Sequence, residues 1–204
     1  MKSELTRDFE FKLEIALREM LQHPGVVGKI TPELKEHLKD TPSRVVNSLV
    51  HDYFTGVKES PIDILSTVFS KGNYDQMIVV SNISFVSFCA HHLLPFIGQV
   101  HFGYLPNKGI VGLSKIPRLV EALSRRPQVQ EMLTEQVVDS FMEHVEPRGC
   151  GVLIEAVHMC MVVRGVKKQG SLTETTALRG DFCKPFTKTE FLQQVNSKKK
   201  VISI

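Results

Sequence analysis

Two short clusters of metal-seeking side chains, Cys89-Ala90-His91-His92 and His158-Met159-Cys160, stand about seventy residues apart in this chain. Neither holds an ion well alone. Together they offer two thiols and three imidazoles, more donors than one zinc ion needs. A fold that uses them must bring residues 89–92 against residues 158–160. A catalytic zinc takes three protein ligands and keeps a position for water, whereas a structural zinc takes four. The surplus imidazole counts against the structural alternative, because acid–base chemistry beside an activated water calls for such groups. Spacing leaves open which three of the five are ligands.

Hydrophobic periodicity outlines the elements that carry these clusters. Phe9, Leu13, Ile15, Ala16, Met20 and Leu21 recur at helical spacing, and His23-Pro24-Gly25 ends that helix. Thr31-Pro32-Glu33-Leu34 opens a second helix, with Thr as cap and Pro in the first turn. Thr41-Pro42-Ser43-Arg44 repeats the signal and leads through Val45, Val46, Leu49 and Val50 to Phe54. Ser60-Pro61-Ile62-Asp63 starts a short helix reaching about Phe69. Strand character begins near Gln76, with β-branched runs at 77–80 and 83–86 and a second strand over 96–104. A short apolar run covers 110–113. Helices follow from Ser114 to Ser124 or Arg125 and over 128–144, separated by Arg126-Pro127. A strand from Val152 is expected to continue to Val163, another lies within 171–178, and a terminal helix spans 190–195. These patterns predict an α+β fold, one antiparallel sheet with two helices on one face. A helical N-terminal arm (1–75) precedes the main domain (76–196), and a tail (197–204) follows, its Lys198-Lys199-Lys200 a solvated terminus. On a strand, His158 and Cys160 would share a face. Cys89 and His92 converge only if the chain turns between them, and Pro95 favours that turn. His91 would then point toward substrate rather than metal.

Bulk properties bound the function. With 42% hydrophobic and 23% charged residues the chain can bury a true core. A net charge of +3 is too small to argue for nucleic acid, yet it permits a local basic patch for a phosphorylated ligand. The N-terminus lacks an apolar signal core and no apolar run approaches a membrane span. Four cysteines without a disulfide framework fit a reducing, cytoplasmic setting. Cys150, Cys183, His23, His37, His51, His101 and His144 read as ordinary core or surface residues.

Anion recognition is concentrated at one helix start. Ser114, Lys115 and Arg118 stand where free N–H groups and the helix dipole attract negative charge. Arg44 and Arg164 would add bidentate contacts to a polyphosphate, although each taken singly reads as a solvated charge. Glu131 follows Gln130 at the start of the long helix. Its carboxylate can accept both hydrogen bonds of a guanine edge, or simply compensate the helix dipole.

Taken together, the motifs resemble the GTP cyclohydrolase I family from about Thr41 to Phe191. The landmarks are Thr41-Pro42-Ser43-Arg44, Cys89-Ala90-His91-His92, Gly103-Tyr104-Leu105-Pro106, Gly112-Leu113-Ser114-Lys115, Arg126-Pro127-Gln128-Val129-Gln130-Glu131 and His158-Met159-Cys160-Met161. The resemblance implies a tunnelling fold whose subunits close into a barrel, and a homodecamer of two pentamers with active sites at subunit boundaries. It implies conversion of GTP and water to 7,8-dihydroneopterin triphosphate and formate, opening pterin and folate synthesis. It implies Zn2+ held by Cys89, His92 and Cys160, and acid–base roles for His91 and His158. Glu131 with Gln130 would bind guanine, and Ser114, Lys115, Arg118, Arg164 and Arg44 the ribose and triphosphate. Zinc lowers the pKa of water from 15.7 to about 7, and a protonated His91 near N7 would make C8 more electrophilic, with His158 as second proton carrier or the two in reverse order.

One departure stands out. The family's usual Cys-Glu-His-His reads here with Ala90 in second place, which removes a carboxylate able to orient a neighbouring histidine. An active enzyme with an altered pH–rate profile is expected, which Ala90→Glu would restore. Two rivals share the resemblance. A zinc-free nitrile reductase with a cysteine nucleophile conflicts with the intact Cys/His clusters. A non-catalytic homologue with a structural zinc is favoured only by Ala90.

Overall fold

The computed structural model describes residues 4–198, with side chains from Thr6 onward. Lys199, Lys200 and the rest of the expected tail lie outside the described residues. The chain divides into two compact units, one ending at Phe54 and the other beginning at Thr55.

The first unit is helical: α1 (Glu4–Gln22), α2 (Pro24–Val27), α3 (Pro32–Leu38) and α4 (Thr41–Asn47), with a π turn over Ser48–Tyr53. Thr31 caps α3 as expected, its hydroxyl accepting from the Leu34 N–H at 3.3 Å. Thr41 does not cap α4. Asp40 holds the cap position and its carbonyl accepts from the Arg44 N–H at 3.0 Å. Thr41 is already helical, and its hydroxyl donates back to the His37 carbonyl at 3.4 Å. The link from α3 stays helical through Lys39, so the new helix starts one residue early.

In the second unit, α5 (Pro61–Leu65) stops short of Phe69, and Val68–Ser70 becomes β1. It pairs antiparallel with β4 (Gly109–Val111). Val68 and Phe69 favour a strand, and Gly109 makes the pairing possible, since a Cβ there would meet Val68 Cγ1 at 2.3 Å.

The main sheet has the order β5-β2-β3-β6-β7. Its strands are β2 (Ile78–Cys89), β3 (Pro95–Leu105), β5 (Pro127–Gln128), β6 (Gly149–His158) and β7 (Thr173–Gly180). All pairings are antiparallel except that of the two-residue β5 with β2. The two runs expected near 77–86 are one strand, β2, broken by a register shift between Val80 and Ile83 with Asn82 at φ 58°. Strand β6 ends at His158 rather than Val163, and Met159–Val162 forms the short helix α8. His158 and Cys160 therefore do not share a strand face.

Helices α6 (Lys115–Ser124) and α7 (Gln130–Val145) lie between the two strand pairs in sequence and cover one sheet face. Leu119, Leu123, Leu133, Val137 and Phe141 meet Phe85, Phe102, Tyr104, Val152 and Ile154 in one buried core. Phe141 packs 4.7 Å from the Phe102 ring and 4.9 Å from that of Tyr104. Leu153 alternates to the other face, where it joins Phe182, Phe191 and Val195. The last two belong to α9 (Pro185–Asn196), which starts at Pro185 rather than Glu190 because Pro suits a first turn. The α+β layout stands, with a smaller second core under α9.

Candidate active site

The end of β2, the start of β3, the end of β6 and the start of α7 meet at one end of the main sheet. After Cys89 the chain turns: the Leu93 N–H donates to the Cys89 carbonyl at 2.8 Å, and the Cys89 N–H to the Leu94 carbonyl at 2.9 Å. Leu93 sits at φ 51°, a left-handed conformation that a branched side chain rarely adopts. The Ala90 N–H donates to the Gln128 carbonyl at 2.8 Å, tying the turn to β5 and hence to α7. Ala90 itself is exposed.

This turn makes Cys89 and His92 converge, and α8 supplies Cys160. One ligand atom from each of Cys89, His92 and Cys160 lies within 4.8 Å of the others. Two soft sulfurs and one imidazole are the donor set that zinc favours, so the residues present fit that ion. His91 is exposed, and its Nδ1 stands 3.6 Å from Cys89 Sγ, against 3.9 Å for His92 Nδ1. Burial, then the neighbouring Cys89, pushes the Cys160 thiol up, with Arg164 opposing. Arg164 is exposed and contacts His92 Nε2.

His158 ends β6 and is half-buried. Its ring stacks on Phe96 at 4.7 Å with the planes 4° apart. Its Nε2 lies 2.7 Å from Gln130 Oε1. Burial lowers its pKa, while the carboxylate of Glu131 pulls the other way. Glu131 is exposed at the first turn of α7. Gln130 is 2% exposed, and its side chain is turned to His158 and the sheet.

Ser114, Lys115 and Arg118 gather at the start of α6. Among the described residues, Lys115 and Arg118 make no hydrogen bond or ion pair with the Cys/His group. They line a cavity of about 510 Å³ with Gly56, Asp63 and Glu121. Ser114 is exposed at the start of α6. Arg44 belongs to the first unit, exposed and 3.6 Å from Asp40. One chain thus gathers Cys89, His91, His92, Gln130, Glu131, His158, Cys160 and Arg164, and leaves Ser114, Lys115 and Arg118 apart.

Sequence reasoning missed Phe96, Thr134, Thr173 and Thr175, all of which support His158 or Gln130. They are common strand and helix residues whose role depends on a long-range contact, so no local pattern marks them. Of the residues set aside, His101 and Cys150 are buried core members, whereas Cys183 is exposed.

Fold and site together define an α+β protein with three side chains able to hold one metal ion beside a stacked, hydrogen-bonded histidine. The chain belongs to the GTP cyclohydrolase I family, whose model matches residues 16–196. A GTP cyclohydrolase 1 of Campylobacter lari is 46% identical over 93% of this chain and 97% of its own. That of Wolinella succinogenes is 48% identical over 79% and 86%. A solved archaeosine synthase QueF-like protein in the apo form covers 53% of this chain and 97% of its own, with a TM-score of 0.45 and 15% identity. That likeness is too slight to carry an argument.

Proposed function

We propose that this chain is a zinc-dependent GTP cyclohydrolase I, converting GTP and water to 7,8-dihydroneopterin triphosphate and formate at the start of pterin and folate synthesis. The observation that carries the proposal is the Cys89–His92–Cys160 group, closed to 4.8 Å in a chain of this family. When bound, zinc supplies the acidity that readies water for attack near neutrality.

The protein's own residues do the rest. Glu131 accepts from N1–H and the 2-amino group of guanine, which orients C8. His91, exposed beside Cys89, donates a proton at N7. His158 carries the second proton. Arg164, Lys115, Arg118, Ser114 and Arg44 hold the ribose and triphosphate. All but Arg44 fall within the proposed catalytic domain, 76–196, with 1–75 as a helical arm. The separation of Lys115 and Arg118 from the Cys/His group supports a site shared between copies, in a homodecamer of two pentamers. Four free cysteines suit a reducing cytoplasm. Among the described residues, no helix is long and apolar enough to cross a membrane.

The test is turnover of GTP by the metal-replete protein with and without a chelator, following the pterin chromophore and formate. Chelator-sensitive release of both is expected. Neither product, with zinc still bound, would overturn the assignment.

A further inference from the structure

We propose that Gln130 is a positioning residue that holds His158 in the tautomer with its hydrogen on Nε2, so that Nδ1 is the nitrogen offered to the substrate. The role toward substrate rests on the function proposed above. The tautomer rests on geometry alone.

The orientation of the Gln130 amide follows from its neighbours. One end of the amide lies 3.2 Å from the Ile154 carbonyl, 3.0 Å from the Thr173 carbonyl and 3.1 Å from Thr175 Oγ1. Carbonyl oxygens only accept, so that end is the NH2 group. Flipping the amide would press its oxygen against two carbonyl oxygens with no hydrogen between them, a costly arrangement. The other end, 2.7 Å from His158 Nε2, is therefore Oε1. An amide oxygen cannot donate. The hydrogen between the two must belong to Nε2, and a neutral imidazole so protonated keeps its lone pair on Nδ1.

Two threonines brace the amide. The Thr134 hydroxyl donates to the Gln130 carbonyl at 2.8 Å. With its single hydrogen used, Thr134 Oγ1 can only accept from Thr175 at 2.7 Å. Thr175 then turns a lone pair toward the Gln130 N–H. Every hydrogen in this ring has one consistent direction, and Gln130 and Thr134 are each 2% exposed. The Phe96 stack fixes the ring plane. Among the described residues, His158 Nδ1 has no hydrogen bond.

The consequence concerns the order of the two histidines. A proton leaving the substrate or its attacking water goes to Nδ1 of His158, while Nε2 keeps its own hydrogen and goes on donating it to Gln130 Oε1. The resulting imidazolium keeps the same bond, so the ring need not move. His91 has no comparable clamp and serves as the donor. Gln130 thereby acts through His158 rather than on guanine.

Magic-angle-spinning NMR of the full-length, zinc-loaded protein with 13C,15N-labelled histidine reads ring tautomers directly, and His158→Asn identifies the His158 signals. Without GTP, His158 is expected to show a protonated Nε2 and a bare Nδ1. Gln130→Met keeps the reach of the side chain but removes the acceptor, and should give mixed tautomers. Thr175→Val leaves Gln130 in place and should shift the ratio partway, which keeps the test open if Gln130→Met does not fold. A protonated Nδ1 in the unmodified protein, or an unchanged ratio in both variants, overturns the clamp. In turnover, Gln130→Met should lower kcat by about tenfold to a hundredfold with KM for GTP within about twofold, the scale of a misplaced proton carrier. A raised KM with kcat intact would make Gln130 a substrate contact and overturn the positioning role. The predicted tautomer in a protein that does not turn over GTP would uphold the clamp and sink the functional assignment instead.

Discussion

Cys150 lies in the sheet core with no exposed surface, and burial pushes its thiol far above the usual range. Only the thiolate reacts, so a raised pKa means less reactive form at any working pH. Native protein treated with iodoacetamide near pH 8 should label at Cys183, which is exposed, and not at Cys150. Peptide mass spectrometry separates the two, and labelling of native Cys150 would contradict its placement. Cys160 differs, as one of three side chains whose donor atoms lie within 4.8 Å of one another and could hold one ion. Cys160→Ser should lose zinc on gel filtration and GTP turnover with it, measured by metal analysis against unmodified protein. At this scale spacing left the choice among five donors open; the resemblance singled out Cys89, His92 and Cys160, whose donor atoms the fold brings within 4.8 Å of one another. It was less so for Gln130, whose burial and partners come from residues 24 to 45 positions away.

Elements are held together by contacts of two very different strengths. Phe141 on α7 is fully buried between Phe102 and Tyr104 of β3. Phe141→Ala should cost about 3–5 kcal/mol in urea unfolding, the usual range for an aromatic removed from a core. The junction of β6, β7 and α9 adds ion pairs to the small apolar core beneath α9. Asp181 accepts from Lys184 at 2.7 Å and pairs with Arg148 at 2.9 Å. The Lys184 hydrogen bond first, then Arg148, holds its carboxyl below the usual range. A depressed pKa gives stability that is present above the unfolded value, about 3.9, and is lost as pH falls through the folded one. Both cations are largely exposed, so Asp181→Asn should cost no more than about 1 kcal/mol at pH 7. That difference should vanish at acid pH, and a gap that persists there would contradict the linkage. Strand ends were the least legible elements. Residues 152–163 are apolar apart from Glu155 and His158, and nothing local says that the strand stops at His158. Its end is set by β3, whose partner for His158 is Phe96, next to the first residue of that strand.

At the scale of the whole molecule, the proposed assembly should show a mass near ten times the 23.0 kDa of one chain by sedimentation. Lys115→Ala should raise KM for GTP and leave zinc content unchanged, because Lys115 lies apart from the Cys/His group. Loss of zinc in that variant would contradict the separation. The sequence by itself determined which donors exist, which helix start carries Ser114, Lys115 and Arg118, and the α+β class, since side-chain identity and local periodicity are properties of short segments. It also determined that residues 89–92 and 158–160 had to meet. Only the tertiary structure decided how. The left-handed turn at Leu93, the helical turn at Met159 and the hydrogen-bonded ring of Gln130, Thr134 and Thr175 arise from register and packing between distant strands. Those contacts are cooperative, so no segment read alone contains them.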